Sequence, residues 1–504
     1  MLISADTSVH GLGSATVTVS SGGDLQGAIN SAQPGDTILL PPGTTFVGNF
    51  VLPAKSGSGV ITIRSAASDS ALPGTGVQID PSYAAQLPKL QSPNSGPALS
   101  TAPGAHDYTL RFLEFLANSG GLYDIIELGD GSSAQNTQTL VPHDLVIDAC
   151  YIHGDPTYGQ KRGIALNSAF TTVSNSYIAE IKADGQDSQA IAGWNGPGPF
   201  TIANNYLEAA GENLLFGGAD PSIPSLIPAD ITIERNHLAK QPIWRTQGNW
   251  SVKNLVELKN AQRVIIAGNV LEYVWLEAQS GYAVLFTPRN QGGSCPWCVV
   301  QHVQFTNNHV QHVASGINIL GTDNDQPSGL ANDIAIRNNL FEDVSSANWG
   351  GDGRLMLVGA GGENIIVDHN TVLQDGLSVL YAYGAPMPNF VFTNNIVPDF
   401  SWAVMGANAS PGNGTIGIYF PGSRFLGNVF AGSNPSLYPA GNFYPSALSA
   451  VGFVDLAGGN YRLSTTSPYY RNGTDHLDVG CNIDALGTLI GVASPSQPLN
   501  LHFR

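Results

Sequence analysis

Short apolar stretches ending in asparagine recur along this chain at a nearly constant interval, and few folds tolerate that recurrence. They read FTIANNYLEA, ITIERNHLAK, RVIIAGNVLE, VQFTNNHVQH, IAIRNNLFED, IIVDHNTVLQ, FVFTNNIVPD and SRFLGNVFAG. The marker residues are Asn205, Asn236, Asn269, Asn308, Asn339, Asn370, Asn395 and Asn428, so the intervals are 31, 33, 39, 31, 31, 25 and 33 residues. Asn175, in VSNSYIAE, fits the same register. A period of about 30 residues with one β-branched strand before a turn marks a solenoid. One coil cannot bury its apolar face alone, so coils stack, with parallel strands roughly 4.8 Å apart. Asparagine suits the bend because it tolerates left-handed backbone and bonds locally, and stacked amides can form a ladder. A propeller would need four hairpin-joined strands per repeat, and leucine-rich repeats are shorter and more regular.

Composition agrees with a turn-rich β protein. The 504 residues include 59 Gly and 32 Pro, and only 12% are charged. With 42% hydrophobic residues the chain is too apolar for disorder. Its net charge of -18 excludes a general nucleic-acid footprint, which needs clustered Lys and Arg. No run of 18 apolar residues marks a membrane span. The start, MLISADTSVHG, lacks the features of a secretory leader; the expectation of a secreted, extracellular or periplasmic protein therefore supposes a leader that this sequence does not show. A monomer is expected.

In DLQGAINSAQPGDTILLPPGTTFVG, Leu25, Ile29 and Ala32 have helical spacing and the strand TILL follows. A short helix there would cover the open edge of the first coil. Residues 1–19 read as an extension, 20–431 as the solenoid, and 432–504 as C-terminal coils and a cap containing Cys481.

The AINSAQPGDTILLPPGTTF opening followed by NN-marked coils resembles the pectin-lyase-like superfamily of right-handed parallel β-helices. That resemblance implies an all-β, single-domain fold with a short N-terminal capping helix and an irregular C-terminal cap. It covers roughly residues 20–430 and implies work on polysaccharides. The superfamily holds lyases, hydrolases, epimerases, esterases and non-catalytic surface proteins, so fold leaves the reaction open.

After each asparagine turn and a variable loop a second strand follows: NLLFGGAD, NLVELKNA, AVLFTPRN, INILGTD and LMLVGAG. Aligning Phe216, Glu257, Phe286 and Ile319 puts Lys259 beside Gly218 and Pro288, with Arg289, Asp220 and Asp323 close by. Removing the C5 proton of a uronic acid calls for a base and for a cation that stabilises the enolate; Lys259 and Arg289 suit these roles. The pair resembles the Lys and Arg of β-helix lyases of the alginate lyase and chondroitinase B type. Those enzymes carry a calcium-binding acidic pair shortly before the Lys; here Val252 and Asn254 stand there, and Glu257 is the nearby acid. A structural Lys259–Glu257 or Arg289–Asp323 ion pair is the competing reading.

Hydrolysis would instead use paired carboxylates drawn from Asp220, Asp323, Asp325 and Asp352, with Glu212 a further acid. Asp323 and Asp325, spaced by two, could also hold Ca2+ or form an Asx turn. Trp194 with Asn195, Trp244 with Arg245, and Trp349 with Arg354 lie in loops that could bind sugar through stacking and carboxylate recognition. His153, Asp155, Lys161 and Arg162 would extend the groove, whereas His237 reads as structural. Cys295 and Cys298 in CPWC suit a local disulfide. The readings in view are a lyase of uronate-containing glycan, a glycoside hydrolase, and a glycan-binding surface protein that does not cleave.

Overall fold

The computed structural model describes residues 14–399 and 401–489. Three sheets of 14, 13 and 12 strands, here sheets A, B and C, run the length of the molecule with every neighbouring pair parallel. Each coil contributes one strand to each in turn: Ala229–Glu234 to A, His237–Ala239 to B and Val256–Leu258 to C. The next coil repeats the order with Ala261–Ala267, Val270–Val274 and Tyr282–Phe286. A strand's partner is therefore the same strand one coil away, as the repeat spacing requires. Inward side chains such as Ile233, Leu271, Phe286 and Phe305 form one continuous core along the axis.

The A–B corner is the most regular. Only two residues separate the strands there, and the first has positive φ: Arg235 at 52°, Asn307 at 56°, Asn338 at 54° and His369 at 52°. The left-handed turn thus falls one residue before the marker asparagine, not on it. The marker is freed for the ladder. Asn205 Nδ2 donates to Asn236 Oδ1 at 3.0 Å, and Asn236, Asn269, Asn308, Asn339, Asn370 and Asn395 repeat the contact up the stack to Asn428. Asn442 closes it at the top, 3.0 Å from Asn428. At the bottom Ser176, not Asn175, occupies the ladder position; its N–H donates to Asn205, and Asn175 is the left-handed residue.

The helix expected at the N-terminal end spans Leu25–Ser31, is capped by the Asp24 side chain, and buries Leu25 and Ile29 against the first coil. At the other end Tyr438 and Tyr444 stack beyond Phe430. The chain then turns back. Gly480 N–H donates to Asn394 O at 2.7 Å, and Cys481 N–H donates to Thr371 at 3.0 Å. Asn482 N–H donates to Asn338 at 2.5 Å. The segment with Cys481 therefore runs down the side of the A–B corner instead of covering the end. Cys295 and Cys298 are disulfide-bonded. Among the described residues no helix is long and apolar enough to cross a membrane.

Candidate functional site

Register decides which side chains leave the core on sheet C. Leu214, Val256, Val284 and Ile317 pair across successive coils and are buried inside, so Leu215, Glu257, Leu285 and Asn318 form the next row on the outer face. The alignment expected from sequence is displaced by one residue in one strand. Leu258, not Glu257, shares a row with Phe216, Phe286 and Ile319. The core takes the leucine, and a one-residue slip exchanges faces, which turns Glu257 outward. Lys259 consequently stands beside Gly217 and Thr287, not Gly218 and Pro288.

A polar chain crosses this outer face from coil to coil. Arg162 pairs with Asp124 at 2.7 Å and donates to Gln189, which donates to Glu212 at 2.9 Å. Lys253 lies 3.5 Å from Glu212 and 2.5 Å from Asp187. Asn254 donates to both Glu257 and Gln279 at 3.0 Å, and Lys259 lies 3.1 Å from Glu257. One coil on, the Arg289 N–H donates to the Lys259 carbonyl at 2.9 Å, while its guanidinium pairs with Asp323 at 2.6 Å. In three of these cation–acid pairs the acid is the buried member, whereas Asp187, the other partner of Lys253, is half-exposed. Side-chain exposure is 15% for Lys253 over 1% for Glu212, 16% for Lys259 over 1% for Glu257, and 28% for Arg289 over 3% for Asp323. In these three pairs the cation reaches solvent further than its buried acid, with the exposed carboxylates of Asp187 and Asp325 nearby.

The electrostatics follow from burial. Burial, with Glu257 and Asp187 adding like charge, pushes the Glu212 carboxyl well above the ordinary carboxylate range. Burial together with Asp124 and Asp130 raises Glu127, on the same face, to about 7. Burial works against the Lys253 ammonium, but Glu212 and Asp187 outweigh it and raise its pKa. Asp323 moves the other way: the N–H groups of Asp325 and Asn290 and the Arg289 guanidinium overcome burial and hold it low. Four polar atoms on this face make no hydrogen bond within the described residues: Glu212 Oε1, Asn254 Oδ1, Asn318 Oδ1 and Arg354 Nε.

The structure brings Lys259, Arg289, Glu257, Glu212 and Asp323 onto one stretch of sheet C. Arg354 and Asp352 lie one coil beyond Asp323, 3.3 Å apart; Asp352 accepts from the Tyr282 hydroxyl, and Arg354 covers Tyr381. Asp220 is taken up in holding the Ser294 loop, and Asp325 is exposed at 3.7 Å from Arg289. Trp194 donates to Gly131 O beneath Arg162. Asn195 is fully enclosed, bracing Asp130, Gln135 and Ser222, so no ligand can reach it. Trp244 is buried under Lys182, while Arg245 covers Trp349, which packs on Tyr273 and His312 of sheet B. These last three residues stand apart from the Lys259 site. His153 belongs to sheet B and pairs with Glu114, and His237 pairs with Glu272 there.

Sequence reading missed Lys253, Asp187, Gln189 and the buried Lys240. Lys240 donates to Ala209 O, Gly211 O, Asn213 Oδ1 and Asn254 O at 2.6–3.0 Å, tying the B–C corner together. Nothing in a single sequence distinguishes it from a surface lysine.

No protein-family model matches the sequence, and no curated protein matches it significantly. Solved structures do match. A PL6-family alginate lyase, AlyGC, aligns over 92% of this chain and 58% of its own at 14% identity, with a TM-score of 0.55. This chain thus spans little more than half the length of that enzyme. A second PL6 alginate lyase, in complex with a trisaccharide, aligns over 97% of each chain at 12% identity and TM-score 0.53. The catalytic unit of a GH87 α-1,3-glucanase from Streptomyces thermodiastaticus aligns over 84% of this chain and 69% of its own, at 14% identity and TM-score 0.53. The chain has the right-handed parallel β-helix fold. On this β-helix the calcium pair of the resembled lyases has no counterpart. Val252 is buried and apolar, the Asn254 nitrogen is spent on Glu257 and Gln279 and leaves a single unpaired oxygen, and Asp323 is satisfied by Arg289 and two backbone N–H groups. No group of three or more His, Cys, Asp or Glu among the described residues is placed to hold a metal.

Proposed function

We propose that this β-helix is a secreted polysaccharide lyase that cleaves a uronate-containing glycan by β-elimination on the outer face of sheet C. The observation that carries the reading is the set of solvent-reaching cations, each anchored by a buried carboxylate within a few coils. An anionic polymer laid along this face would meet Lys259 and Arg289 from adjacent coils. Lys259, once it has passed its extra proton to solvent, takes the C5 proton; Arg289 stabilises the charge that moves onto the carboxylate. The electron pair forms the C4–C5 double bond, the C4–O bond breaks, and the departing oxygen takes a proton from water. Alignment with two alginate lyases supports the substrate class.

A hydrolytic reading rests on a narrower observation: burial, with the neighbouring Glu257 and Asp187 charges, raises the Glu212 carboxyl to about 7, which suits a general acid. The α-1,3-glucanase alignment fits it. A polysaccharide panel including alginate, polygalacturonate and α-1,3-glucan, read for ultraviolet absorbance and for reducing ends, separates the two. Elimination yields an unsaturated, absorbing product. Reducing ends without that band would establish hydrolysis, and neither signal would leave a glycan-binding protein.

A further inference from the structure

Lys253 takes no part in the elimination as written, yet it is held as firmly as the residues that do. Its ammonium is 2.5 Å from Asp187 and 3.5 Å from Glu212, and Glu257 lies within electrostatic reach. The Glu212 oxygen facing it, Oε1, is completely buried and makes no hydrogen bond within the described residues. Asp187, by contrast, is half-exposed and free to share its proton donor with a ligand. An ammonium has three donors, so a group held by one buried and one movable carboxylate keeps capacity for a third anion.

The position of Lys253 is also telling. It stands between Val252, which is buried and apolar, and Asn254, whose nitrogen is spent on Glu257 and Gln279 and whose oxygen alone is left unpaired; one amide oxygen beside an ammonium does not make a divalent-cation site. We propose that Lys253 binds a carboxylate of the polymer directly, so that this β-helix supplies from its own chain the positive charge a divalent cation would otherwise provide. The proposal rests on the uronate-polymer reading and deepens it. On a protein of net charge -18, such a local cation is what keeps an anionic chain on the face. Buried Glu212 keeps the ammonium charged and in place, and the bond it makes to a ligand carboxylate is charge-assisted.

The test is affinity electrophoresis of the full chain in alginate and polygalacturonate, with carboxyl-reduced alginate as the neutral probe, all in EDTA. Wild-type protein should bind a uronate polymer equally with EDTA or with added Ca2+. Lys253→Gln should bind it at least about 10-fold more weakly, with no rescue by Ca2+ and no change on the carboxyl-reduced polymer. Lys253→Arg should retain binding. Because the single variant leaves Glu212 without its cation, Lys253→Gln/Glu212→Gln provides a charge-balanced partner and should show the same loss. Binding that EDTA abolishes and Ca2+ restores would overturn the proposal, as would wild-type affinity in both Lys253→Gln variants. In those cases the lyase reading survives, since the Lys259→Ala assay tests it separately. If wild-type protein binds neither uronate polymer, both fall.

Discussion

The asparagine ladder makes a quantitative demand on stability, and Asn308 in its middle is the place to test it. Its Nδ2 donates to Ile266 O at 2.9 Å and Asn339 Oδ1 at 3.1 Å; its Oδ1 accepts from the Asn269 N–H at 3.0 Å and Asn269 Nδ2 at 2.9 Å. All of this lies out of reach of water. Asn308→Ala removes four hydrogen bonds at once. Asn269 Nδ2 keeps Ile233 O, and Asn339 Oδ1 keeps the Asn308 N–H, so those two groups remain partly satisfied. The Asn269 N–H loses the acceptor it has. At roughly 1 kcal/mol per net bond, with a further penalty of about 1 kcal/mol or more for the orphaned donor, the loss comes to about 5 kcal/mol. Urea denaturation followed by far-ultraviolet circular dichroism would read it as a lowered midpoint with an unchanged slope. Arg235→Gly is the control. It sits at the same corner one residue before the ladder, at φ 52°, where glycine fits without strain, and should stay within about 1 kcal/mol of wild type. An Asn308→Ala midpoint matching that control would refute the claim that the amides, and not the turn geometry, hold the corner.

Lys259→Ala should lower the rate of unsaturated-product formation on a uronate polymer by about 100-fold or more, assayed where far-ultraviolet circular dichroism shows the variant folded, because the change leaves buried Glu257 without its cation and lowers the urea midpoint; full activity would remove Lys259 as the base. Arg289→Lys keeps the charge but loses the planar fork that meets Asp323, so turnover should fall by roughly 10-fold in the same assay. Glu127, raised to about 7 in the fold, binds its proton more tightly there than in the unfolded chain, and the stability this contributes below about pH 4.5 disappears as pH rises through about 7. Glu127→Gln should therefore melt above wild type at pH 8 and together with it at pH 4, and a constant difference at both pH values would count against the burial argument.

Much of this molecule is written in the order of its residues. A strand that ends in asparagine every 31 residues or so can satisfy its backbone and bury its apolar side only by stacking on its own copy, so solenoid and ladder follow from Asn205 to Asn428, whereas the earlier coils of the 14-stranded sheet carry no such marker. The helix at Leu25–Ser31 was equally legible, because its apolar spacing and the Asp24 cap are local. Lys259 and Arg289 could be placed on one sheet for a related reason: each follows a strand whose alternation can be read. Three-dimensional placement settled the rest. Glu257 faces outward because Leu258 fills the core, and single-residue registers are decided by packing between coils, not by the strand itself. Lys253 and Asp187 meet across 66 residues through loops of irregular length, and Asn195 vanished into a loop contact with Asp130 and Gln135. Period and alternation are properties of neighbours along the chain; charge pairing and burial depend on neighbours in space, which variable loops bring together without leaving a pattern.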